Sequence, residues 1–225
     1  MAKVVLPLFL KEDRKIIVGW MVFLSAALLY LMSNHFHLTP PRYLPTTWID
    51  ENTPFIPWTI WFYVSEWVFF AYTYLVIKKV ENTNKYLYSF FVMQLIAGII
   101  FIIWPTTYPR HLYPLPTEGV DFLTFAVFNQ IRDLDTPANC CPSLHVSTVY
   151  LLALIFLEEQ REKFGFVMIW ATLISLSTLT TKQHYLVDVV TGFIFALVCY
   201  WVFFKMITYR PVGEVTQKSG LQENL

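Results

Sequence analysis

His184 and Asp188 stand four residues apart in "QHYLVDVVTG". On a helix, that spacing puts both side chains on one face. A carboxylate that holds one imidazole nitrogen fixes the ring's tautomer and orientation, which leaves the other nitrogen free to attack or to move a proton. A His–Asp hydrogen bond that only joins two helices fits the same spacing. A second imidazole, His145, follows Pro142 and Ser143 in "CCPSLHVS". Proline suits the first turn of a helix, and the free N–H groups of that turn, aided by the helix dipole, favour an anion. Ser143 as a simple cap and His145 as a packing residue are the plainer alternative. Arg110, in "WPTTYPRHLYP", offers the paired donors of a guanidinium to a phosphate, or snorkels to the membrane surface. Lys182 adds a cation in the turn "TLTTKQHYLVD".

These residues must be positioned by elements of unusual composition. The chain has 225 residues, 56% hydrophobic, 18% aromatic and only 14% charged. Soluble domains carry about a quarter charged residues, so the composition points to lipid. Six apolar stretches stand out, at 16–33, 56–77, 86–105, 144–157, 165–181 and 186–206. About 17–25 apolar residues cross a bilayer as a helix, and the fourth stretch reaches that range if it begins near Pro142. The expected fold is therefore an all-α integral membrane bundle of about six transmembrane helices. A single membrane domain is expected over 1–210, with a disordered cytoplasmic tail over 211–225. The long leading segment and the lack of a small-residue cleavage site favour an uncleaved first span over a signal peptide.

Basic residues set the orientation, because cytoplasmic loops retain them. Lys3, Lys11, Arg14, Lys15, Lys78, Lys79, Lys85, Arg161, Lys163, Lys205, Arg210 and Lys218 fall on one face, leaving Arg42, Arg110, Arg132 and Lys182 on the other. Both termini are then cytoplasmic. Arg110, His145, Lys182 and His184 come from separate chain regions yet share the opposite face. Ionisable groups at membrane depth are functional candidates by default. Cys140, Cys141 and Cys199 form neither spaced CxxC pairs nor a disulfide framework. A net charge of +0 gives no reason to expect a nucleic-acid partner.

Taken together, the three segments resemble the type 2 phosphatidic acid phosphatase (PAP2) superfamily. Its motifs run as a basic residue followed by Arg-Pro, then P-S-x-H, then S-R-x5-H-x3-D. Here the matches are Arg110 after "WPTTYP", then Pro142, Ser143 and His145, then Ser177 with His184 and Asp188 at the matching spacing. The resemblance covers about residues 104–192 and implies a six-span bundle with its three motifs on one face. It implies that His184 attacks phosphorus to form a phosphohistidine, that Asp188 orients it, and that His145 protonates the departing oxygen and then activates the acceptor. Arg110, Ser143, Ser177 and Lys182 are the implied phosphate-binding residues. No metal or other cofactor is expected, and the implied partners are a membrane lipid phosphate and the bilayer itself. The motif's arginine beside Ser177 is Thr178 here, with Lys182, Thr178 or Thr181 as possible substitutes, and the first motif lacks its leading lysine.

The pattern is also similar to the branch that contains inositol phosphorylceramide synthases, which pass the phospho-head group to a lipid alcohol instead of water. Hydrolase and transferase share the covalent half-reaction. A proton-coupled transporter is the rival outside enzymology, but such proteins place ionisable groups near the midplane, often within internal repeats, and no repeat is visible. HExxH, the signature of many zinc hydrolases, is absent. His35, His37 and His111 are expected to be interfacial loop residues.

Overall fold

A computed structural model describes residues 4–116 and 118–211. Nine α-helices carry the architecture of this described part. They are α1 (Lys15–His35), α2 (Trp48–Asn52), α3 (Ile60–Val64), α4 (Glu66–Val76), α5 (Val80–Ile103), α6 (Phe122–Leu134), α7 (Leu144–Glu159), α8 (Phe164–Thr180) and α9 (Leu186–Trp201). Four helical segments among the described residues are long and apolar enough to cross a membrane: Glu12–His35, Val80–Ile103, Arg161–Thr180 and Leu186–Met206. The last of these continues α9 through one wide turn, Val202–Met206. The other two apolar stretches take a different form. The second is divided into α3 and α4 beside Ser65, whose hydroxyl accepts from the Trp170 indole at 2.9 Å. The fourth becomes α7, which is only 16 residues long.

The shortness of α7 goes with its place in the bundle. Twelve of its residues are buried, and it packs against α4, α5, α8 and α9. In contrast, α1 turns Trp20, Met21, Leu24, Leu28 and Leu31 outward, and α9 does the same with Val190, Ile194, Val198 and Trp201. Outer helices with apolar surfaces around a buried central helix are what a lipid solvent selects. Helices in lipid are held by close packing and interhelical hydrogen bonds, with no hydrophobic drive between them. Gly192 on α9 shows how close that packing is, because a Cβ there would lie 2.6 Å from the Ser143 carbonyl oxygen.

Short strands tie down the ends and the loops. Strand β1 (Val5–Leu8) pairs in parallel with β4 (Thr208–Pro211), so the two ends of the described chain lie side by side. Residues 212–225 of the expected tail lie outside the described residues. On the opposite end of the bundle, β2 (Arg42–Tyr43) pairs with β3 (Thr106–Thr107). Thr106 also accepts from Cys140 N at 3.2 Å and, through its hydroxyl, from Cys141 N at 2.8 Å. The loop that carries Arg110 and the segment that starts α7 are thereby sewn together. Two helices in the polar connections were not anticipated from apolar length: α2, closed by a Thr47–Asp50 capping box, and α6, capped by Asp121.

Candidate active site

His184 is set by the chain on both sides of it. Its N–H donates to the Thr178 carbonyl at 3.2 Å, across the turn that ends α8. Asp188, in the first turn of α9, accepts from Tyr185 N at 2.9 Å and lies 3.3 Å from His184 Nδ1, through the same Oδ2. One carboxylate oxygen thus caps the helix and orients the ring, and the backbone that starts α9 fixes the imidazole. Ser143 Oγ lies 3.3 Å from His184 Nε2, on the side of the ring away from Asp188. Ser143 is also the N-cap of α7, accepting from Val146 N at 3.4 Å, and its own N–H donates to the Asp188 carbonyl. The starts of α7 and α9 are therefore locked together with His184 between them.

His145 lies across this junction, its ring centroid 5.9 Å from that of His184. Two side chains from the divided second stretch bracket it. Tyr63 Oη lies 3.4 Å from Nδ1, with the two rings 4.5 Å apart, and Glu66 Oε2 lies 3.4 Å from Nε2. Thr148 Oγ1 donates to the other Glu66 oxygen at 3.1 Å. The His145 side chain keeps 20% of its surface exposed, against 6% for His184, so it is the more open of the two imidazoles.

Arg110 stands at the edge of this group and is bound to Asp135, with Nη1 donating to the carbonyl at 2.5 Å and Nη2 to the carboxylate at 2.9 Å. Burial works against its charge, but Asp135, together with Cys140 and Tyr63, holds the guanidinium above its ordinary range. Its Nε is buried without a partner. Asp135 in turn accepts from the Tyr30 hydroxyl and from Asn34.

Two expected phosphate-binding residues point elsewhere. Lys182 takes a left-handed backbone, φ 56°, and its Nζ donates to the carbonyls of Asp50 at 3.0 Å and Thr53 at 2.6 Å over the Tyr113 ring. Burial lowers its pKa against the opposing pull of Asp50. Ser177 donates back to the Ile174 carbonyl at 2.6 Å, inside its own helix. Thr178, at the position of the motif's arginine, contributes its carbonyl to His184 and keeps its hydroxyl on Ser175. His35 and His111 are exposed and away from this group. The structure thus brings together His184, Asp188, Ser143 and His145, with Arg110 alongside. It adds Tyr63 and Glu66, which the sequence reading passed over.

The chain's capacity for a metal is limited by the same atoms. Cys140, His184 and Asp188 offer one ligand atom each, all within 4.8 Å of one another. Burial pushes the Cys140 thiol well above its ordinary range. An ion there would draw on the ring nitrogen and carboxylate that already form the His184–Asp188 pair, so the two uses compete.

A sequence model of the PAP2 superfamily matches residues 27–202, which takes in every residue of this group. The chain belongs to the PAP2 superfamily. A 64-residue stretch, 28% of this PAP2 chain, is 39% identical to an uncharacterized protein of Methanocaldococcus jannaschii, and the match covers 26% of that relative's length.

Proposed function

We propose that this PAP2 protein is a membrane lipid phosphatase that hydrolyses a lipid phosphate or diphosphate monoester through a phosphohistidine. The observation that carries this reading is the geometry of His184. Asp188 holds Nδ1, and Nε2 opens toward the Ser143 hydroxyl at the start of α7, facing the more exposed His145. With the Nδ1–H donating to Asp188, the Nε2 lone pair attacks phosphorus. The ester P–O bond breaks, its electron pair stays on the departing oxygen, and a proton from His145 completes the lipid alcohol. In the second half, water gives a proton back to His145 and attacks the phosphohistidine. The P–N bond then breaks and returns its pair to Nε2. Developing charge on phosphoryl oxygens is met by the N–H groups at the start of α7, by Ser143, and by Arg110 once it shifts part of its bonding from Asp135. Each proton in this cycle has a named donor and acceptor, which supports chemistry without a metal.

The membrane arrangement proposed with it has six crossings: the four long segments, the α3–α4 pair and α7. In a straight helix α7 would be about 24 Å long, and its burial inside the bundle suits a crossing that need not match the lipid thickness alone. Paired ends at β1 and β4 support termini on one side. The excess of lysine and arginine on that side supports the cytoplasm, which puts the site at the non-cytoplasmic face.

Transfer to a lipid alcohol is the second reading. An apolar groove of about 460 Å³, lined by Ile100, Trp104, Cys141, Pro142, Ile194 and Phe195, runs beside Ser143 and has room for a hydrocarbon chain. Purified protein incubated with labelled phosphatidate, isoprenyl diphosphate and phosphatidylinositol, with and without diacylglycerol or ceramide, separates the two. Release of free phosphate is expected. A new phospholipid that forms only with an added lipid alcohol would favour the transferase, and no turnover of any of these would contradict both.

A further inference from the structure

Glu66 is a carboxyl group 5% exposed, inside an apolar stretch, with no lysine or arginine bonded to it among the described residues. Its side-chain partners among the described residues are Thr148 and His145. A buried carboxyl at membrane depth is costly and needs a reason for its presence. One reason is structural, since the contacts tie α4 to α7. The geometry supports more. Oε1 lies 3.1 Å from the hydroxyl of Thr148, one turn along α7 from His145, and Oε2 lies 3.4 Å from His145 Nε2. The opposite ring nitrogen, Nδ1, lies 3.4 Å from the Tyr63 hydroxyl. Asp188 does the same for His184: a carboxylate on one nitrogen and a hydroxyl on the other.

We propose that Glu66 is the positioning carboxylate of His145. It accepts from Nε2–H, fixes the tautomer and stabilises the imidazolium that delivers its Nδ1 proton to the departing oxygen. Glu66 does not touch the substrate and acts only through His145. The inference rests on the phosphatase reading and identifies a component of its acid step. Before turnover the imidazolium Nδ1–H donates to the Tyr63 hydroxyl oxygen, and the departing oxygen takes the place of that hydroxyl and receives the proton. The groups that face or act on this imidazole are Glu66 and Tyr63 from the second stretch, His184 from the start of α9, and Arg110 with Asp135 from the loop side.

A general acid matters most when the departing oxygen is a poor leaving group. The test therefore compares kcat/KM for dioctanoyl phosphatidate, an alkyl phosphate, with that for p-nitrophenyl phosphate, whose leaving oxygen needs little protonation. In Glu66→Gln, kcat/KM is expected to fall about 10- to 100-fold on the alkyl phosphate and less than about 3-fold on the aryl phosphate. His145→Ala should show the same skew, larger in size. If Glu66→Gln does not yield folded protein, Thr148→Val frees Oε1 and should give a smaller loss with the same skew. Equal losses on both substrates would reduce Glu66 to a helix tie, and full activity on both would remove it from the acid step. Either result overturns this inference while leaving His184 as nucleophile. Failure of the phosphatase reading itself would be seen separately, as wild-type protein releasing no more phosphate than His184→Ala from either substrate.

Discussion

The two imidazoles of the site are each matched to a carboxylate, but the chain builds the two pairs in opposite ways. His184 and Asp188 come from one segment, and the oxygen that orients the ring also caps α9. The turn from α8 into α9 makes the pair. His145 and Glu66 meet only when α4 packs on α7, and they meet at a more exposed ring. The local pair suits a nucleophile, whose lone pair must be aimed before substrate arrives. The pair made by packing suits a group that must accept and release a proton as the departing oxygen comes and goes.

This contrast sets the order of expected effects. Breaking the local pair should do most harm. Asp188→Asn keeps the shape but loses the charge that favours the correct tautomer, and kcat should fall by about 100- to 10,000-fold, measured as phosphate release at saturating substrate. A loss under tenfold would separate Asp188 from the chemistry. The junction between the pairs is next. Gly192→Ala puts a methyl group 2.6 Å from the Ser143 carbonyl, so the starts of α7 and α9 must part. Overpacking of this kind costs about 1–3 kcal/mol, and a lower thermal midpoint should come with reduced turnover. Unchanged stability and activity would show that the junction yields easily. Lys182→Met lies outside both pairs and should have the smallest effect on chemistry. It removes buried hydrogen bonds to Asp50 and Thr53, worth about 1–3 kcal/mol of stability, while kcat/KM per folded molecule stays within about threefold. A large rise in KM would return Lys182 to the phosphate.

The same contrast explains what could be read without coordinates. The His184–Asp188 pair was legible because both residues lie close together in the chain, although His184 itself precedes the N-cap of α9 and is placed by the turn from α8 instead of by helical spacing, and Pro142 with Ser143 marked the start of α7 for the same local reason. Apolar length revealed the outer helices but could not reveal that α7 is the buried centre or that the second stretch divides at Ser65. Glu66 escaped because its partner lies in a distant part of the chain. The signal available was its isolation, as a carboxylate inside the stretch 56–77. Position along the chain puts Lys182 beside His184, while its left-handed backbone turns the side chain toward Asp50. A residue's face in a tight turn depends on φ, which the sequence does not display. Thr178 replaces the motif's arginine without disturbing His184, because it is the Thr178 carbonyl that holds His184 here.

The central claim is that His184 carries the phosphoryl group. Rapid acid-free quenching of the protein with phosphorus-labelled phosphatidate, followed by peptide mapping, tests it most directly. An acid-labile, base-stable label is expected on the peptide that contains His184, present in His145→Ala with an aryl phosphate donor and absent in His184→Ala. Label on another residue, or full turnover by His184→Ala, would contradict it.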